Sequence, residues 1–209
     1  MRVVKSAEER KSEILDVAEQ LFAEKGFDNA STNDIIKKIG IARGTLYHHF
    51  SSKEEILDAI VDRMISRSVA GARGIIKDTR IPLLERLTGA ILSLNLNSGA
   101  GAEVLEQIHK PQNALLHQKA QERLIGEVVP LIAELIEEGN KCKMFHAKYP
   151  LDAAEMIIIY SNTAFDDLAG LSPKEMQDKM EAFIYHTEKI LGAKEKSLEA
   201  PIMKIISKQ

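Results

Sequence analysis

Apolar residues recur at helical spacing along nearly the whole of this chain. Ile14, Ala18, Leu21 and Phe22 fall at i, i+4, i+7 and i+8, with Leu15 and Val17 widening the stripe. The pattern predicts an amphipathic helix over 7–25 that ends at Gly26, with Phe27 packing back beneath it. Ser31 and Asp34 have capping-box spacing, Asp standing in for the usual Glu or Gln, and open a short helix, 32–39, that buries Ile35, Ile36 and Ile39. Gly40 closes it, where positive φ suits a helix C-terminus. A third helix starts near Arg43 and runs to Phe50. Leu46, Phe50 and, less centrally, His49 share its inner side, so Gly44, Thr45, Tyr47 and His48 point away, with Arg43 at the exposed N-terminal end. A serine cap at Ser51-Ser52 and the acidic pair Glu54-Glu55 start a longer fourth helix. Its stripe of Ile56, Leu57, Ile60, Val61, Met64 and Ile65 should close a small core and run on to about Asp78.

Helix follows helix after Ile81. Segment 82–97 carries Leu83, Leu84, Leu87, Ile91, Leu92 and Leu94 before Ser98-Gly99 breaks it, and a short segment near 101–110 ends at Pro111. Residues 112–139 form a long amphipathic run in which Pro130 should end or kink the helix, because proline removes a backbone donor and clashes with the preceding turn. A connector over 139–150 holds Cys142, Phe145 and His146. Helices are expected over 151–170 and 173–191. The first contains Met156-Ile157-Ile158-Ile159-Tyr160, apolar on every side, which must be covered by its own domain or by a second subunit. The second carries Met176, Met180, Phe183, Ile184, Thr187, Ile190 and Leu191. Two adjacent apolar helices suit a four-helix dimer interface, for which Met156, Ile159, Tyr160, Met180, Phe183, Ile184 and Thr187 are the candidates. The Lys-rich tail, 193–209, either docks as a short helix or stays free.

Composition agrees with an all-helical chain: Trp is absent, aromatics are 5%, and Leu, Ile, Ala, Glu and Lys abound. One cysteine excludes an internal disulfide and suits a reducing compartment. The first residues lack a signal peptide's apolar run, and no apolar stretch approaches the ~20 residues of a membrane span, so a cytoplasmic location and no membrane partner are expected. A net charge of −3 argues at first against nucleic acid. Residues 1–53, however, carry nine Lys/Arg and eight Asp/Glu, net +1, while the remainder is net −4. Charge alone does not reveal a DNA binder.

Thr32-Asn33-Asp34-Ile35, then Gly40 to Phe50 (G-I-A-R-G-T-L-Y-H-H-F), then Ser52-Lys53-Glu54-Glu55-Ile56-Leu57 resembles the TetR/AcrR family of bacterial transcription regulators, over roughly residues 8 to 60. The resemblance implies a helix-turn-helix whose third helix enters a major groove. By it, Arg43, Gly44, Thr45 and His48 look groove-facing, while Thr32, Tyr47 and Lys53 look like phosphate contacts. Gly44 would serve by close approach rather than by bonding. One departure is Ala42, where many members carry Ser: the cap hydroxyl of the third helix is missing, and such a cap is worth ~1 kcal/mol.

Other chemistry is weaker. His48 and His49 are adjacent and point about 100° apart on a helix, so they do not share a metal ion. His109, His117, His146 and Cys142 lack metal-ligand spacing, and neither a metal nor another cofactor is expected. No nucleophile elbow or Walker loop appears, which argues against an enzyme. Asn162 and Asp166, at i and i+4, either line a small-molecule pocket or face water and pair at a dimer interface; His109 and Asn113, flanking Pro111, are further pocket candidates. The expectation is therefore an all-α homodimer. An N-terminal three-helix head with a helix-turn-helix (1–53) precedes a C-terminal helical-bundle regulatory and dimerisation domain (54–209). It would bind double-stranded operator DNA as a repressor released by a small-molecule effector. An activator or constitutive DNA-binding factor without an effector, and a helical interaction module, are the alternatives.

Overall fold

The computed structural model describes residues 5–93, 101–165 and 171–200. Every regular element in them is helical: α1 (Ala7–Lys25), α2 (Thr32–Ile39), α3 (Arg43–His49), α4 (Lys53–Lys77), α5 (Leu83–Ser93), α6 (Gly101–Ile108), a 3-10 turn at Pro111–Asn113, α7 (Ala114–Lys141), α8 (Pro150–Ala164) and α9 (Pro173–Leu191). The chain forms two compact units, residues 1–67 with 96–120, and residues 68–95 with 121–209.

In the first unit the sequence signals act locally. Ser6 and Glu9 close a capping box on α1, and Ser31 and Asp34 close one on α2, each satisfying backbone donors that a helix start leaves unpaired. Gly40 adopts φ 75°, ψ 35°, a left-handed conformation that reverses the chain between α2 and α3 without a Cβ penalty. Ile14, Ala18, Phe22, Ile35, Leu46, Phe50, Ile56, Leu57 and Ile60 are almost wholly buried. Each large apolar side chain among them contributes roughly 2 kcal/mol. Phe27 packs edge-on to Phe22, ring centroids 5.0 Å apart. Arg63 of α4 joins α1 through Asp16 and Glu19, both at 2.6 Å. α6 packs against α1, burying Val104 and Ile108, and Lys110 just beyond it pairs with Asp28 at 2.8 Å.

The second unit is built on the later part of α7, where Val128, Leu131, Ile132, Leu135 and Ile136 are buried. Pro130 does not end α7. The helix continues through it, the proline lying on an exposed position. Arg86 of α5 is buried and makes four hydrogen bonds. It donates to the Ile81 carbonyl (3.0 Å), to the Ile76 carbonyl in the last turn of α4 (2.9 Å), and to both carboxylate oxygens of Glu138 on α7. The arginine thus caps one helix and ties it to two others. Past α9, the buried Glu188 carboxylate accepts the backbone N–H groups of Lys196 and Leu198, each at 2.9 Å, and Leu198 is buried. The first part of the tail is therefore docked; 201–209 lie outside the described residues.

Candidate nucleic-acid interface

The outer side of α2 and α3 carries most of the residues expected to meet DNA. Leu46 faces inward, fully buried, which turns Arg43, Gly44, Tyr47 and His48 outward; all four are exposed and Thr45 is half-buried. The structure joins three of the expected residues into one chain. The Tyr47 hydroxyl lies 3.3 Å from Thr32 Oγ1 at the start of α2, and the Arg43 guanidinium lies over the Tyr47 ring, 5.3 Å from its centroid. The hydrogen-bonded Thr32 hydroxyl, and secondarily Arg43, lowers the phenol's pKa from its usual value of 10.0. Gly44 has nothing within 4 Å of where a Cβ would sit. α3 starts at Ala42 without a side-chain cap, as its sequence predicts; the Thr45 N–H returns to the Ala42 carbonyl instead, at 2.9 Å.

Lys53 needs a different description. Its ammonium donates to the Phe27 and Ala30 carbonyls, at 2.8 and 3.0 Å, and sits 4.2 Å above the Phe27 ring. It clamps the α1–α2 turn that presents Thr32, so only one of its three donors remains for an outside partner. His48 and His49 meet edge-on, with centroids 5.2 Å apart.

Asn113 uses its amide to donate to the Gln107 carbonyl at 2.7 Å, finishing α6, and the His109 ring meets that of His117 edge-on at 4.9 Å. Both belong to the first unit, whereas the half-buried Asn162 belongs to the second. α8 stops at Ala164, short of the expected 170, and Asp166 lies outside the described residues. Among the described residues no group of three metal-binding side chains occurs, and no helix is long and apolar enough to cross a membrane.

The dimer candidates divide. Met156 (60% exposed), Ile159 (43%) and Tyr160 (50%) leave one face of α8 uncovered by the chain itself, and Tyr160 stacks on the half-buried Phe183 at 5.9 Å. Met180 is also half-buried. Ile184 and Thr187, by contrast, are buried inside the chain's own core and are not available to a partner. Tyr185, also on α9, is 50% exposed. The correction is geometric: both faces of α9 carry apolar side chains, and periodicity alone does not say which face the chain itself covers.

A three-helix head with an outward-facing third helix defines a helix-turn-helix protein. Residues 14–60 match "Bacterial regulatory proteins, tetR family", and residues 97–186 match "Tetracyclin repressor-like, C-terminal domain". The chain belongs to the TetR family. The HTH-type transcriptional repressor KstR2 of Mycobacterium tuberculosis is 34% identical over 140 residues, 67% of this chain and 64% of that protein. The HTH-type transcriptional regulator UidR of Escherichia coli K12 is 38% identical over 88 residues, 42% of this chain and 44% of the relative. This chain thus spans less than two thirds of the length of either. A solved TetR-family regulator from Pectobacterium atrosepticum superposes with TM-score 0.64 at 20% identity, covering 93% of this chain and 99% of that one. One from Mesorhizobium loti gives 0.62 at 17% identity, covering 90% and 98%. These structural likenesses show the shared fold.

Proposed function

We propose that this protein is a sequence-specific DNA-binding transcriptional regulator, a repressor that leaves its operator when a small molecule binds. The observation that carries the reading is the exposed Thr32–Tyr47–Arg43 chain on α2 and α3, beside an open Gly44. Arg43, Thr45 and His48 meet base edges, Gly44 admits close approach, and Thr32, Tyr47 and the remaining donor of Lys53 contact phosphates. Residues 1–53 act as the reading head, and 54–209 regulate and dimerise. The uncovered face of α8 supports a homodimer, and a two-fold dimer fits a palindromic operator whose half-sites lie about 34–36 Å apart or a multiple of that. An effector in the body changes the separation of the two heads and prevents both from docking at once.

The test is fluorescence anisotropy of the full chain on its own upstream DNA and on unrelated DNA across a salt series. A specific complex at physiological salt, ~10³-fold or more tighter than the unrelated one, is expected. Equal weak binding to both, vanishing as salt rises, refutes sequence-specific reading of that DNA. Once the operator complex is in hand, a small-molecule panel tests release; if no compound alters affinity, the effector half of the reading fails.

A further inference from the structure

Among the described cations of the head, most are already engaged within the protein. Lys5 and Arg10 pair with Glu13, Lys25 with Asp34, and Lys38 with Glu24. Lys53 holds two carbonyls. Arg43 has no carboxylate partner among the described residues; its guanidinium rests on the Tyr47 ring. That ring is fixed from the other side, because its hydroxyl is hydrogen-bonded to Thr32 on a different helix. A flexible arginine is thereby held beside a fixed ring before any ligand arrives. Preorganisation of this kind matters little for a point-charge contact to a phosphate. It matters for a bidentate contact, in which two parallel N–H groups must meet two acceptors together. In the major groove guanine alone presents such a pair of acceptors, O6 and N7, on one base.

We infer that Arg43 is the guanine-reading residue of each half-site, and that Tyr47, steadied by Thr32, is the positioning residue that sets its guanidinium plane. The assignment rests on the DNA-binding reading above. It makes the operator a duplex with one guanine per half-site in a fixed register to α3, read jointly by one arginine and one tyrosine.

The full wild-type chain selects duplexes from a random-sequence pool, and every guanine of the resulting consensus is replaced in turn by adenine or 7-deazaguanine, which lacks the N7 acceptor. One guanine per half-site should be sensitive, adenine there weakening wild type ~5- to ~150-fold. Arg43→Ala should bind the parent and that substituted duplex alike, while keeping its preferences at all other positions. Tyr47→Phe, which keeps the ring but loses the hydroxyl that ties it to Thr32, should weaken the guanine preference in part; Tyr47→Leu should lose it beyond any general loss of affinity. A merely structural Tyr47 would weaken all duplexes together and leave that ratio unmoved. The proposal is overturned if Arg43→Ala weakens every duplex equally and lowers the salt slope by ~0.9, the signature of a phosphate contact. It also fails, on its own, if a consensus emerges in which no guanine is sensitive. Selection of no consensus at all defeats instead the DNA-binding reading beneath it.

Discussion

Gly44→Ala separates stability from function in a single methyl. Gly44 is in ordinary helical backbone, and a Cβ built there meets nothing within 4 Å. Alanine in a helix interior is favoured over glycine by roughly 0.5–1 kcal/mol, because glycine loses more conformational freedom on folding. Gly44 is the second residue of α3, close to its start, so the gain should sit near the lower figure. α3 also lacks a side-chain cap, which leaves it little other local support. The free protein should therefore become more stable by about 0.5 kcal/mol, read as a higher urea midpoint with an unchanged slope. On the operator the same methyl stands on the surface that approaches the base edges. Moving the helix outward to admit it lengthens the contacts of Arg43 and Thr45, and losing one good base contact alone is worth ~1–3 kcal/mol. Operator affinity should fall by about tenfold or more, since 1.4 kcal/mol is a factor of ten. Gly74→Ala is the control: it is equally open, it lies near the end of α4 in the second unit, and it should stabilise without touching affinity. The reasoning is refuted if Gly44→Ala raises stability and leaves operator affinity unchanged, because DNA then does not approach α3 at that residue.

Gly139→Ala should act in the opposite sense to Gly44→Ala. Its Cβ would lie 2.1, 2.6 and 2.9 Å from ring atoms of the fully buried Phe145, so overpacking of ~1–3 kcal/mol or more should outweigh the helix-propensity gain in urea unfolding. The Asp34 carboxyl is held below its usual 3.8, first by the Ser31 hydroxyl and then by the Ser31 N–H. A depressed folded pKa stabilises above the unfolded value and loses that effect as pH falls through the folded one. Asp34→Asn should thus be less stable than wild type near neutrality, the gap closing below pH 3.8; a gap independent of pH would remove the carboxylate from the cap. Glu138→Gln keeps one acceptor for the buried Arg86 guanidinium, turns the other into a donor facing it and removes the neutralising charge, and should cost about 2 kcal/mol. That is less than the ~3–5 of a fully buried pair, since the Glu138 side chain is 43% exposed. Ile159→Glu places a charge on the open face of α8 and should yield folded monomers in sedimentation; an unchanged assembly would place the interface elsewhere.

What could be read in advance followed from interactions of short range in sequence. Capping boxes join residues three apart, so Ser31–Asp34 was legible, and the same spacing at Ser6–Glu9 and Ser172–Glu175 carries the same signal. The inward side of α3 followed from Leu46 and Phe50 alone. Contacts between distant residues left no such mark. Arg86 and Glu138 are 52 residues apart and Lys110 and Asp28 are 82 apart; in the sequence each is one charged residue among many. Lys53 shows the same limit at the interface. The family resemblance implied a phosphate contact there, but nothing in the sequence signalled that its ammonium also donates to the Phe27 and Ala30 carbonyls, 26 and 23 residues back. At Pro130 the local backbone left two outcomes, an end or a kink; α7 does not end there, and the buried residues on either side, Val129 and Leu131, favour continuing it.

The near-neutral head is the least expected feature of a DNA reader, and the ion pairs account for it. The acids that reduce its net charge to +1 are concentrated on α1, and Glu13, Asp16, Glu19 and Glu24 each have a cation from the protein within 4 Å. A matched pair projects only a dipolar field, and at physiological ionic strength charges are largely screened beyond ~8 Å. A phosphate near α3 therefore responds to Arg43 and its neighbours far more than to a sum over the whole head. On this account neutralising Asp16 should move the salt slope of operator binding by much less than one, whereas neutralising a true phosphate contact should move it by ~0.9. Equal slopes for the two would mean that the head acts through its overall charge, and the geometry of Thr32, Tyr47 and Arg43 would then have no part in recognition.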